Sequence, residues 1–356
     1  MKKLLTLMMV IAFAFAFTAC GGGGGGSGDA AGDSDGDAAA STEGTQSSGA
    51  KIKIVMANGL GETNPSHLVM VAFKEYLEAN SDDFEVEIYP LGQLGSEREQ
   101  IESAQDGSIQ MTAASTSPYT GFVKDASIFD MPFAIENYDQ LVAVLADPDF
   151  VAAIDESFSA VGLKIGVMGN SAFRALESRK PIRHIEDFKG LNMRVMENEN
   201  HINTFKALGC VTTAVPWSEL YTALQQGLVD AHDSSFTMTV TNNLQEQTPY
   251  ATSIYHLMGV IMYTMNLEWF NNLTPDQQNI IMESWKYAES TRPNADQNEK
   301  NMLQIMIDEN GIEAFDFTAE DIEKGKELCQ PVWEAVKEQV TPRVYDAYQA
   351  AIERAS

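Results

Sequence analysis

An α/β fold in two units is what this sequence predicts, and three observations carry it. Short stretches that alternate apolar and polar residues are each followed by a capped helix, the pattern of a mostly parallel sheet flanked by helices. The same pattern restarts at Leu163. With 356 residues, 44% hydrophobic and 21% charged, the chain is long enough for two domains, each with its own core.

Residues 51–56 put Ile52, Ile54 and Met56 on one face, which predicts a strand. The turn 59–65 leads into a helix with Asn64 as cap and Pro65 at its first position, and with Leu68, Ala72, Phe73 and Tyr76 as the apolar stripe. Phe84, Val86 and Ile88 alternate with Glu85 and Glu87 in a second strand. Ser96 and Glu99 form a capping box for the next helix, Gly107 closes it, and residues 109–112 make a short strand. In the second unit, strands are predicted at 163–168, 191–195 and 228–231, with helices at 198–208 and 218–226 closed by Gly209 and Gly227. Thr274-Pro275-Asp276-Gln277 starts a helix whose composition persists to Asn310-Gly311, roughly 50 Å at 1.5 Å per residue. Pro293 lies inside it and kinks it or splits it in two. Residues 312–317 read as a strand, and an amphipathic helix follows from Thr318.

The ends and the charge narrow the function. Lys2 and Lys3, an apolar run over 4–17 and Thr18-Ala19-Cys20 make a secretory leader, residues 1–20. Cys20 resembles the lipidated first residue of a bacterial lipoprotein; the alternative is a plain signal peptide with an incidental cysteine. Residues 21–50 hold six consecutive glycines and no aromatic or large aliphatic side chain. They read as a flexible tether with a stretched reach on the order of 100 Å. No later run has the ~20 apolar residues of a spanning helix. Net charge is -28, and still -25 without the leader lysines and the five tether acids. That excludes nucleic acid and an anionic lipid face as partners, and obliges any bound anion to be held by local donors.

Those donors concentrate between Asn170 and Phe236. From Arg174 to Arg194 there are six Lys/Arg against three acids, and both arginines stand among apolar residues of apparent strands. A buried guanidinium needs an anionic partner, here read as a ligand carboxylate.

Ordered blocks identify the chain as resembling the solute-binding subunit of tripartite ATP-independent periplasmic (TRAP) transporters, in the dicarboxylate-binding-protein branch. They are Tyr89-Pro90-Leu91-Gly92-Gln93-Leu94-Gly95-Ser96-Glu97-Arg98-Glu99, Phe129-Asp130-Met131-Pro132-Phe133, Lys180-Pro181-Ile182, and 187–195 ending in Asn192-Met193-Arg194-Val195. Residues 217–230, from Trp217-Ser218-Glu219-Leu220, and Tyr263-Thr264-Met265-Asn266 complete them. The resemblance runs from about Lys51 to the end. It implies two α/β domains joined by a hinge, with the ligand in the cleft and a long C-terminal helix across both. The corresponding division is 51–171 with 264–300, and 172–263 with 301–356. It implies a small organic acid as ligand, no cofactor, and two integral membrane proteins, one small and one large, as partners.

Residue by residue, Arg194 matches the family's carboxylate-binding arginine and Arg174 a second, supporting one. For Arg194 the alternative is a structural pair with an acid such as Glu197, and Arg174 likewise has a structural pair as its alternative. Trp217 matches a ligand-facing aromatic position, or is a half-buried core residue. Ser115 and Tyr119 fall where relatives line the first domain's side of the cleft, or sit in a surface turn. After Val229-Asp230 the chain departs from the family pattern: Ser234 stands where relatives have a ligand-contacting asparagine. Glu197 is also unusual, and either shields Arg194 or accepts from a ligand amine or hydroxyl. His232 adjusts to a hydroxyl-bearing or doubly charged ligand, or is structural.

Other functions fit less well. Asp230, His232, Asp233 and Ser234 suggest a hydrolase, but neighbours on one strand face opposite sides and no Gly-x-Ser-x-Gly elbow occurs. The five histidines lack metal-ligand spacing, and Cys210 and Cys329 read as separate buried thiols. A lipoprotein presenting its ligand to a separate sensor is the other reading, separable by co-purification.

Overall fold

The structure, a computed structural model of the chain, describes residues 51–355. The leader, the tether and Cys20 lie outside the described residues. The initial alternation makes β1 (Ile52–Asn58), followed by β2 (Phe84–Tyr89) and β3 (Met111–Ser115). Next come β4 (Leu163–Phe173), β5 (Ala175–Ser178), β6 (Asn192–Val195), β7 (Val211–Ala214) and β8 (Ala231–Ser234). The last three are β9 (Tyr250–Ser253), β10 (Met258–Asn266) and β11 (Glu313–Asp316).

They form two sheets, ordered β2-β1-β3-β10-β4 and β11-β9-β5-β8-β6-β7, one in each α/β lobe of the single compact unit that the described residues make. Both sheets are mixed rather than mostly parallel. β4 and β10 carry the chain out of the first lobe and back again, so they lie antiparallel side by side. β5, the continuation of β4 past Arg174, is in turn antiparallel to β8 and β9. The crossings therefore fall at Arg174, three residues past the expected boundary at 171, and at 254–257, seven to ten residues before that at 264, which would cut β10 in two. Sequence hid the end of β4 because Gly169, Asn170 and Ser171 break the apolar alternation, whereas pairing with β10 sustains the strand. Close approach is built in there: a Cβ on Gly259 would lie 2.3 Å from the Ala172 carbonyl oxygen.

The helix Pro65–Asn80 is capped by Asn64 as expected, but its buried face is Val69, Met70, Phe73 and Leu77. Leu68 is 46% exposed; residues 68–73 are apolar on both sides, so the stripe was ambiguous. The long C-terminal helix is two helices, Pro275–Ser290 and Ala295–Asn310, the second capped by Asn294. Pro293 has no N–H to continue the ladder and its ring blocks the preceding turn. Pro275–Ser290 packs on Pro65–Asn80, whereas Met306 of Ala295–Asn310 joins Ala175, Phe236 and Ala251 in the second lobe.

Assigning all of 301–356 to the second domain does not hold. Val332, Val336, Val340, Val344 and Tyr348 join the core of the first lobe with Phe150 and Phe158, because the helices Gln330–Gln339 and Pro342–Ala355 present their apolar stripes to its uncovered face. Cys210 and Cys329 are separate, free and buried. No helix among the described residues is long and apolar enough to cross a membrane.

Candidate functional site

A cavity lies between the lobes beside the crossing strands, with about 600 Å³ of space free of atoms, part of it open to solvent. Glu97, Ser115 and Asp130 line it from the first lobe, Arg194, Met196 and Trp217 from the second, and Arg174 from the crossing.

Arg194 owes its place to strand geometry. Met193 and Val195 point into the second lobe's core, so period-two alternation turns Arg194 the other way, into the cavity. It is 2% exposed. Its Nε donates to the Val215 carbonyl at 2.9 Å and its guanidinium lies 5.8 Å from the Trp217 ring. No carboxylate among the described residues forms an ion pair with it. Burial first, and then Arg174, push its pKa down to about 10, against the opposing pull of Asp233, Glu97 and Glu197. A guanidinium has five N–H donors, so most remain for a ligand.

Arg174 is committed to the protein. Its Nε donates to Asp233 Oδ2 at 2.6 Å and its Nη2 donates to the Asp233 carbonyl. The same Oδ2 receives His201 Nε2 at 3.1 Å and His256 Nε2 at 3.0 Å. Burial alone would raise the Asp233 pKa, but Arg174 and then His201 hold it well below the carboxylate range. Burial pushes His201 down to about 4; its Nδ1 accepts from the Met196 N–H at 2.8 Å, which leaves Nε2 as donor. His201, Asp233 and His256 bring ligating atoms within 4.8 Å of one another, a grouping that spacing did not suggest. A guanidinium bonded to the shared oxygen, with two ring N–H groups aimed at it, makes this an ion-pair hub that a metal would have to dismantle.

The remaining expectations divide. Ser115 and Trp217 line the cavity, Ser115 with its N–H and Oγ donating to Glu97 at 2.8 and 2.9 Å. Ser234 does not line it: it is fully buried on β8, its Oγ 2.9 Å from Thr239 Oγ1, and the neighbouring Ser235 takes the lining place. His232 is also fully buried, 3.6 Å from Glu177; burial and then Arg194 push its pKa down to about 3. Glu197 is exposed and off the lining. Tyr119 is core, its hydroxyl 2.7 Å from Thr264 Oγ1.

Sequence reasoning passed over Glu97 and Asp130. Glu97 stands in the first turn of a capped helix, where an acid needs no further explanation. Asp130, an acid among Phe129, Met131 and Phe133, was the available signal. It is fully buried and joins the lobes: it accepts from Asn198 Nδ2 at 2.7 Å, Ser117 Oγ at 3.3 Å and Asn200 Nδ2 at 3.4 Å. Burial raises its pKa to about 6.

Comparison with known proteins agrees with this architecture. The sequence profile of bacterial extracellular solute-binding protein family 7, DctP, matches residues 56–339. An uncharacterized protein of Salmonella typhimurium, YiiZ, is 30% identical over 278 residues, 76% of this chain and 82% of that protein. The C4-dicarboxylate-binding periplasmic protein DctP of Rhodobacter capsulatus is 28% identical over 274 residues, 75% and 80% of the two chains. The crystal structure of the sugar acid binding protein DctPAm of Advenella mimigardefordensis, in complex with galactonate, superposes with a TM-score of 0.81 at 26% identity, covering 86% of this chain and 99% of that one. This chain belongs to the DctP family of extracytoplasmic solute-binding proteins, the binding subunits of TRAP transporters rather than enzymes.

Proposed function

We propose that this protein captures a small organic acid outside the cytoplasmic membrane through Arg194 and delivers it to one small and one large integral membrane subunit. The observation that carries the reading is a buried guanidinium with no acid of its own, facing an interlobe cavity. A carboxylate there takes two parallel N–H bonds, which fixes orientation as well as supplying energy. Lobe closure then removes water from the ion pair and strengthens it, so the ligand favours the closed form. Arg174, neutralised by Asp233, contributes the rigidity of the rear wall. Trp217 and Ser115 shape the ligand's surroundings. Cys20, made the lipidated first residue by removal of 1–19, holds the protein by the 21–50 tether to the outer face of the cytoplasmic membrane. The binding reported for relatives, C4-dicarboxylates for the Rhodobacter protein and galactonate for the Advenella protein, supports a carboxylate ligand.

The test is a thermal-shift screen of small carboxylates. A ligand at 100-fold excess over its Kd stabilises by about 2.7 kcal/mol, and a broad carboxylate panel that leaves the melting temperature unmoved counts against the reading. Release of a Cys20→Ala variant from the membrane fraction tests the anchor. Co-purification with a sensor protein instead of transporter subunits would redirect the downstream role.

A further inference from the structure

We propose that the pocket selects a monocarboxylate bearing several hydroxyl groups and discriminates against dicarboxylates, with Glu97 and Asp130 as the specificity-determining residues. This deepens the preceding reading and rests on Arg194 as carboxylate anchor.

The argument is a charge inventory. Four ionisable side chains line the cavity: Glu97, Asp130, Arg174 and Arg194. Asp233 already neutralises Arg174. One uncompensated cation is left, and it is matched once a single ligand carboxylate binds. Neither acid has a cationic partner within ion-pair distance among the described residues. Among the described residues the Glu97 oxygens accept only from Ser115. Asp130 accepts from two amides and a hydroxyl. A carboxylate offers about four acceptor sites, so Glu97 in particular keeps capacity on its cavity side. The far end of the ligand therefore meets acceptors that require donors. Hydroxyls donate to them; a second carboxylate cannot, and is repelled.

The rest of the lining agrees. Ser115, Thr116, Ser117, Ser171 and Ser235 also line the cavity. Ser115 Oγ and Ser117 Oγ donate their protons to Glu97 and Asp130, which leaves the protons of Thr116, Ser171 and Ser235. A ligand hydroxyl both donates to the acids and accepts from those three, whereas an ammonium only donates, so the polyhydroxy acid is the better complement.

The experiment is titration calorimetry at pH 7.5 with D-gluconate, D-galactonate, D-glucuronate, succinate, fumarate and L-glutamine, on the unmodified protein and on Arg194→Ala, Glu97→Gln and Asp130→Asn. At least one polyhydroxy monocarboxylate is expected to bind about tenfold or more tightly than either dicarboxylate and than L-glutamine. Neutralising Glu97 or Asp130 should narrow that ratio by improving succinate relative to the polyhydroxy acid. A smaller ratio in the unmodified protein, no binding by any of the three polyhydroxy acids, or a ratio unchanged in both acid variants overturns the inference. Dicarboxylate binding as tight as that of the polyhydroxy acids, and abolished by Arg194→Ala, defeats this inference alone; binding indifferent to Arg194→Ala defeats the anchor beneath it.

Discussion

Arg194→Ala separates a ligand anchor from a structural arginine by the small size of its effect on the empty protein. In the free form the guanidinium is buried with a single hydrogen bond, to Val215. The fall of its pKa from 12.5 to about 10 corresponds to on the order of 3 kcal/mol spent keeping it charged. Alanine removes that cost and also forfeits the packing of the arginine stem, typically about 1–3 kcal/mol. The two nearly cancel, so urea unfolding of the ligand-free variant should give a stability within about 2 kcal/mol of the parent. Ligand binding should fall by about 2–5 kcal/mol, as for one member of a buried charged pair. That is roughly 30-fold to a few thousand-fold in Kd. Calorimetry with a bound organic acid measures the second quantity and circular dichroism guards the fold. Unchanged affinity, or an empty protein weakened by more than the predicted margin, refutes the assignment of Arg194 to the ligand.

Arg174→Ala should behave in the opposite way, losing about 3–5 kcal/mol in urea because Asp233 is left buried without its guanidinium; a stable variant would show that His201 and His256 alone can hold that carboxylate. Ser234→Asn should lower stability by about 1–3 kcal/mol through overpacking against Thr239 while the order of ligand preference stays fixed; a changed ligand profile with unchanged stability would return Ser234 to the pocket. Asp130 and Glu299 should each contribute stability that falls as the pH rises. Burial raises them to about 6 and about 7, so between pH 4 and 7 these two carboxyls hold more protons in the native state than in the unfolded chain, and their contribution is lost as they ionise, while His201 and His232, pushed down to about 4 and about 3, contribute with the opposite sign. Urea midpoints at pH 5 and 7.5 measure the slope, and the same slope in Asp130→Asn and Glu299→Gln would contradict the attribution.

Local rules and ordered motifs determined much here by themselves. Asn64, Ser96 and Thr274 cap the helices they were read to cap, because a cap depends on residues within one turn of chain. Pro293 split the C-terminal helix for an equally local reason. The two-unit α/β organisation and the family were legible in repeated βα pattern and in blocks such as 187–195 and 217–230. Arg194 stood out because a cation between two core residues of a strand has few explanations.

Tertiary structure alone decided what surrounds those residues. β8 was placed too early, at 228–231, because His232, Asp233 and Ser234 are polar and lack the apolar alternation of a strand; they lie in the sheet because distant segments of the chain supply partners for their polar atoms in the interior. Arg174 and Arg194 look alike in sequence, yet an aspartate 59 positions downstream of the first makes one a structural pair and leaves the other without an acid. Which lobe the last helices join was likewise undetermined: an amphipathic stripe specifies that a face is buried, and only the packed fold specifies against what.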